Sequence, residues 1–189
     1  GNDKLMDLNS ILYPYKDWIG TVVHVAVNGE YAGFIEIADE IKEDSREAIK
    51  GLKRAGIRQT IMLTGDNEVT ARKVSGELGL EKNYAELLPE DKVDKLEELL
   101  SQSSTKTKLA YVGDGINDAP VLARADVGIA MGGLGSDAAI EAADVVIMTD
   151  EPSKIVTAIR IAKKTLGIAW QNIYLAIAVK IAVLILSAL

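Results

Sequence analysis

Gly113-Asp114-Gly115-Ile116-Asn117-Asp118-Ala119-Pro120 follows a short apolar run, Leu109 to Val112, and leads into a stretch of helical character, Asp118 to Ala123. A strand that ends in glycine and acid and turns directly into a helix is the repeating unit of parallel α/β sheets. The same alternation extends on both sides of it. Helices are predicted at Ser45 to Ala55, with Asp44 or Ser45 as cap and Gly56 as stop, at Glu68 to Leu78, closed by Gly79, at Pro89 to Ser101 and at Ser136 to Ala143. Strands are predicted to end at Ile61-Met62-Leu63 and to span Tyr84 to Leu87, Val127 to Met131 and Val145 to Met148. The expected fold class is therefore α/β with a doubly wound parallel sheet.

Two different patterns flank this unit. Upstream, Thr21 to Val27 and Tyr31 to Ile37 are β-rich and meet at Asn28-Gly29, the dipeptide that most readily supplies a type I′ turn, so a hairpin is expected. Gly1 to Gly20 is short and mixed, and reads as the tail of a larger unit. Downstream, a long helix is expected from Pro152, running through Lys163-Lys164 without a breaker. It continues into Leu166 to Leu189, where the only ionisable residue is Lys180; at about 1.5 Å per residue such a helix crosses a bilayer core of about 30 Å. Three regions result, 1–37, 38–150 and 151–189.

Composition narrows the function classes. The 189 residues carry a net charge of −7 and no cluster of Lys and Arg of the kind that meets a phosphate backbone, which argues against nucleic acid as partner. No cysteine is present, so disulfides, thiol nucleophiles and zinc-finger sites are excluded from this stretch. His24, alone in a strand-like run, reads as a structural or surface residue. The polar and charged opening, Gly1 to Ser10, does not read as a secretory signal.

In open α/β sheets ligands gather beyond the carboxyl ends of the strands, and three of those positions are chemically loaded. Asp114 and Asp118, four residues apart between glycines, make an oxygen-rich corner suited to Mg²⁺; the plain alternative is an acidic turn in which Asp118 caps a helix. Thr64, in Thr64-Gly65-Asp66-Asn67, presents a hydroxyl at the opening of a helix, where a phosphate oxygen is favoured; the alternative is simple N-capping. Lys92, in Pro89-Glu90-Asp91-Lys92, sits at the wrong end of a helix dipole, at a cost of about a few tenths of a kcal/mol unless an anion is near. Glu90 and Asp91 could be that anion. Hydroxyl, ammonium and paired carboxylates at one sheet edge together suit a phosphoryl group and its magnesium.

These three motifs, with Ala125-Asp126-Val127-Gly128-Ile129-Ala130-Met131-Gly132, match in order and spacing the phosphorylation domain of P-type ATPases, members of the haloacid dehalogenase superfamily, and the chain resembles that family over nearly its whole length. The resemblance implies that Asp114 ligates Mg²⁺, with Asp118 beside it, and that Asn117 and Asp118 hold the loop around a phosphoaspartate. It implies phosphoryl binding by Thr64 and Lys92, and a role for Gly65 and Asp66 in ordering the loop that faces the nucleotide. Asp39 resembles the hinge where the chain returns from the nucleotide domain, which makes 1–37 the end of that domain. ATP and Mg²⁺ are the implied cofactors.

One departure stands beside the matches. The family's acceptor aspartate lies in an Asp-Lys-Thr-Gly-Thr motif, and nothing in Gly1 to Asp39 resembles it. The strand that carries it, most of the nucleotide domain and the other membrane helices are implied partners, and the chain by itself is expected to form no phosphoenzyme. Gln171-Asn172-Ile173 followed by Lys180 resembles the penultimate span of zinc, cadmium and lead exporters, where the lysine stands near the ion site; copper exporters carry Tyr-Asn there. Arg160 and Lys163-Lys164 at the base of the span suit the cytosolic side of a membrane. The implied whole is a multi-pass pump of the cell membrane, with residues 1 to about 165 cytoplasmic. Two rivals remain, a soluble phosphatase of the same superfamily and a non-catalytic regulatory module of the same fold. Gly132-Gly133-Leu134-Gly135-Ser136 lacks the spacing of a dinucleotide fingerprint and reads as a tight turn.

Overall fold

The computed structural model describes residues 21–37, 40–104, 107–132 and 137–188. Asp39, Gly1 to Gly20 and Gly133 to Ser136 lie outside them. Strands β1 (Thr21–Val27) and β2 (Glu30–Ile37) form the expected antiparallel hairpin, with Thr21 opposite Ile37. Asn28 and Gly29 both have positive φ, 53° and 83°, which the turn between them requires. His24 lies on this hairpin with Nδ1 3.3 Å from the Tyr31 hydroxyl.

Alternating helices and strands follow: α1 (Ser45–Arg54), β3 (Ile61–Leu63), α2 (Glu68–Leu78), β4 (Lys82–Tyr84), α3 (Pro89–Gln102), β5 (Ala110–Gly113), a 3₁₀ turn (Ile116–Asp118), α4 (Ala119–Arg124), β6 (Val127–Met131), α5 (Asp137–Ala142), β7 (Val145–Ile147) and α6 (Ser153–Ala188). The five strands after the hairpin pair only in parallel, β3 with β4 and β5 with β6 with β7. Among the described residues they make two sheets, not one, and β3 and β5 each keep one unpaired edge.

Most strand boundaries lie within a residue of the sequence reading, but β4 does not. β4 spans Lys82–Tyr84, where a strand from Tyr84 to Leu87 was expected, because after Tyr84 the chain turns back over the end of β3. Glu86 adopts a left-handed φ of 57°, its N–H donates to the Asp66 carbonyl at 2.8 Å, and the Leu87 N–H donates to the Thr64 carbonyl at 3.0 Å. The apolar pattern of Tyr84 to Leu87 therefore serves a loop that ties two strand ends together.

The core lies where β6 and β7 meet the base of α6. Ile129, Met131, Ile147 and Ile155 are buried there, with Leu52 of α1 and Ile159 of α6 packed against them; each full burial of such a side chain contributes about 1.5–3 kcal/mol. Helix α1 is fastened along α6. Asp44, the N-cap residue of α1, does not cap its own helix with its side chain but accepts a hydrogen bond from the Ser153 N–H at the start of α6, at 2.9 Å. At the other end the Lys163 ammonium donates to the Ala55 carbonyl. Between them Gly51 lets the helices touch, since a Cβ there would stand 2.9 Å from Val156 Cγ2. Beyond this joint α6 continues as an exposed apolar helix, long enough to cross a membrane.

Glu81 stitches β4 to its surroundings. Its carboxylate accepts from the Thr60 N–H and hydroxyl, both at 2.6 Å, and pairs with Lys53 at 2.7 Å. These donors, Lys53 first, lower its pKa from 4.5 to about 2. A carboxylate whose folded pKa is depressed stabilises the fold above its unfolded pKa and loses that contribution as pH falls toward the folded value. Glu81→Gln should therefore cost about 1 kcal/mol at pH 7 in urea unfolding, and the difference from wild type should shrink between pH 4.5 and about 2.

Candidate phosphoryl and metal site

Two loops and one helix end meet at the carboxyl ends of β3 and β5. After β3, the Thr64 N–H donates to the Tyr84 carbonyl at 3.0 Å, extending the ladder by one step. The Thr64 hydroxyl donates to Asp66 Oδ2 at 2.7 Å and accepts from the Asp66 N–H at 3.1 Å, so Thr64-Gly65-Asp66 is a closed loop. Thr64 does not cap the helix that follows. That task falls to Asn67, whose Oδ1 accepts from the Thr70 N–H at 2.9 Å.

Lys92 lies in the first turn of α3. The neighbouring Asp91 is spent on closing that turn, accepting from the Leu88 N–H at 2.8 Å. Lys92 reaches past the local acids to Asp118, donating to Oδ1 at 2.9 Å with both side chains mostly shielded. The anion that offsets its position at the helix dipole thus comes from 26 residues away, not from Glu90 or Asp91.

Asp118 occupies this place because the chain after β5 doubles back. Its N–H donates to the Gly115 carbonyl at 3.1 Å, and its side chain folds over Gly113, where a Cβ would lie 2.7 Å from Asp118 Cβ. The capping alternative fails here also, since the Asp118 carboxylate makes no cap to α4. Oδ1 accepts instead from two donors, Lys92 and the Tyr111 hydroxyl, the second also at 2.9 Å. Burial, then the charge of Asp118, push the Tyr111 phenol well above its ordinary range, so it stays protonated and donating.

A cavity of about 250 Å³ opens between the strand ends, walled by Leu63, Lys92, Tyr111, Gly113, Asp114 and Asp118. Pro152 and Ile155, at the base of α6, and Lys42, ion-paired with Asp150, close its other side. Asp114 is exposed and has no hydrogen-bond or ion-pair partner among the described residues, which leaves its carboxylate available to a cation. The structure thus brings Lys92, Asp114 and Asp118 to one cavity. Thr64 follows the wall residue Leu63, but its hydroxyl is turned to Asp66 and it does not line the cavity; Gly65, Asp66 and Asn117 are exposed beside it. Lys180 lies far along α6, about 38 Å of helix beyond Ile155 at about 1.5 Å per residue. Among the described residues no three acidic or histidine side chains gather as a complete metal site.

Tyr111 and Lys42 were not foreseen. Tyr111 was findable: it stands two residues before Gly113, so the two share a face of β5, and that is the face Asp118 folds over. In the Ala125 to Gly132 motif Met131 lines the cavity, and other members serve packing. Asp126 accepts from Lys108 and from the Leu109 N–H, and a Cβ on Gly128 would lie 2.6 Å from the Leu122 carbonyl oxygen.

An unpartnered carboxylate, Asp114, and a shielded lysine, Lys92, stand at the carboxyl edge of parallel strands in an α/β fold, and the chain belongs to the haloacid dehalogenase-like hydrolase family, which it matches over residues 2–126. More particular likenesses cover almost all of it. A zinc-transporting ATPase of Synechocystis is 61% identical over 180 residues, 95% of this chain and 25% of that protein. A cadmium, zinc and cobalt-transporting ATPase of Bacillus subtilis is 58% identical over 188 residues, 100% of this chain and 27% of that protein. The crystal structure of a zinc-transporting PIB-type ATPase in its E2.Pi state superposes with a TM-score of 0.69 at 38% identity, covering 91% of this chain and 27% of that one. The chain spans about a quarter of the length of these relatives.

Gly113→Ala should force Asp118 off its donors and cost about 1–3 kcal/mol in chemical unfolding. Gly76→Ala, in α2 with nothing within 4 Å of the added carbon, should be neutral or stabilising. Equal effects from the two substitutions would show that Asp118 is not held as described.

Proposed function

We propose that the chain is the magnesium- and phosphoryl-binding part of a P-type ATPase that exports Zn²⁺, Cd²⁺ or Pb²⁺, joined through α6 to one of its membrane spans. The observation that carries this is the convergence of Lys92, Asp114 and Asp118 on one cavity at the foot of a helix that runs on into an apolar segment. The similarity to zinc- and cadmium-transporting ATPases supports the choice of cargo.

The donor chemistry fits magnesium. Mg²⁺ is commonly held by one or two carboxylates, with waters and substrate phosphates completing its shell. Asp114 would hold it through its free carboxylate, with Asp118 Oδ2 as a second oxygen, since Oδ1 already accepts from Lys92 and Tyr111. Bound there, the ion would neutralise charge on phosphoryl oxygens. Lys92 keeps two of its three N–H donors for the same group and offsets charge as it transfers. Thr64 would add its hydroxyl by leaving Asp66, and Asn117 and Asp118 would steady the loop. Gly65 and Asp66 would face the incoming ATP.

The unpaired edges of β3 and β5 flank the cavity, and Val112 of β5 is 42% exposed. A parallel strand bearing the acceptor aspartate would pair with both edges and place its carboxylate beside Lys92 and Asp114. That strand, the nucleotide domain and the remaining membrane helices are the proposed partners, in a multi-pass protein of the cell membrane with residues 1 to about 165 on the cytoplasmic side. Asp39 would mark the hinge to the nucleotide domain. Lys180, exposed on α6, would meet an acidic group of a neighbouring span after the metal leaves.

In a full-length pump carrying this chain, Lys92→Ala and Asp114→Asn should each lower labelling by radioactive ATP about 100-fold or more, as loss of an electrostatic catalytic group does. Lys180→Ala should leave labelling intact and abolish or weaken the stimulation of ATP hydrolysis by Zn²⁺ or Cd²⁺. Wild-type labelling in both of the first two variants would remove the proposed site; wild-type metal stimulation in the third would remove the role of Lys180.

A further inference from the structure

Among the side chains that wall the cavity, Tyr111 has no role in the reading above. It points from β5 at a carboxylate that already has a cationic partner, and its hydroxyl and the Lys92 ammonium share one oxygen, Asp118 Oδ1, each at 2.9 Å. A carboxylate oxygen can accept two such bonds, but the two together fix the plane of the carboxylate in a way that a single flexible lysine cannot. The lysine stem is long, with four side-chain torsions, whereas the phenol is held by the strand and has only two. Asp118 is 9% exposed and no buried polar side-chain atom in the cluster lacks a partner, so the three groups form a complete small network.

We propose that Tyr111 is a positioning residue of the phosphoryl site: its hydroxyl orients the Asp118 carboxylate and, through that carboxylate, aims the Lys92 ammonium into the cavity. The inference rests on the phosphoryl-site reading and adds to it a residue that touches neither phosphate nor magnesium. Without the hydroxyl, Lys92 is the sole donor to Asp118 Oδ1. The pair then draws together, and the ammonium has less freedom to turn its remaining N–H bonds toward an incoming anion. The tyrosine thus keeps the lysine available by sharing its counter-ion.

The test uses the full-length pump, with binding of orthovanadate in the presence of Mg²⁺, and binding of ADP, measured by calorimetry on wild type, Tyr111→Phe and Lys92→Met. Tyr111→Phe should weaken orthovanadate binding about 3- to 10-fold, the range for one hydrogen bond, and leave ADP affinity unchanged. Lys92→Met should weaken orthovanadate binding further. Unchanged orthovanadate affinity in Tyr111→Phe, with Lys92→Met impaired, would overturn the inference and leave the site reading intact. A parallel loss of orthovanadate and ADP affinity would also overturn it, by showing a general structural role. Absence of orthovanadate binding by the wild-type pump would remove the reading and the inference together.

Discussion

A shielded ion pair between Lys92 and Asp118 is the constraint on which the site depends. Lys92 sits on the helix that follows β4, and Asp118 on the turn that follows β5, so the pair crosses from one parallel sheet to the other at the edge where both are unpaired. Both side chains are mostly removed from water, at 19% and 12% exposure, and in such a setting a charge left without its partner is costly. Three neighbouring features accompany the pair. Gly113 makes room for the Asp118 carboxylate, Asp91 is diverted to close the first turn of α3, and Tyr111 supplies a second donor to the same oxygen.

The same geometry explains how a site can be joined to a distant segment. Pro152, just before α6, and Ile155, in its first turn, wall the cavity, and the helix then runs without interruption to Ala188. Asp44 binds the first N–H of α6, Gly51 packs on Val156, and Lys163 holds the carbonyl of Ala55, the residue just past α1, so the base of the helix is fastened at three levels. The cavity wall and the long helix are therefore joined by direct contacts, with no loop between Ile155 and Ala188. The exposed apolar surface of α6 beyond Lys163 has the length and composition of a membrane span.

Much of this was legible in the sequence, for identifiable reasons. Asn28-Gly29 announced the hairpin because only a few residues accept positive φ at two successive positions, and Gly56 and Gly79 marked helix ends on the same ground. The alternation of short apolar runs with helical periods revealed the parallel strands. What could not be read were long-range choices made by side chains. Lys92 had acids within two residues, and local reasoning could not show that it would ignore them for one 26 residues away. Asp44 and Thr64 both looked like caps, yet one caps a helix distant in sequence and the other closes its own loop. Tyr84 to Leu87 had the pattern of a strand and became a turn because two backbone hydrogen bonds to the Thr64 loop outweigh one more step of ladder.

The most direct measurement is a double-mutant cycle on the Lys92–Asp118 pair, using Lys92→Met, Asp118→Asn and the double variant, with unfolding free energy read from urea titration of the detergent-solubilised chain. Each single change should cost about 3 kcal/mol, because it leaves a shielded charge, the Asp118 carboxylate or the Lys92 ammonium, without its counter-charge, and the double variant should be less destabilised than the sum of the two by about 1 kcal/mol or more. Strict additivity would show that the two residues do not depend on each other, and the account of the site as a clasp between two sheets would be wrong.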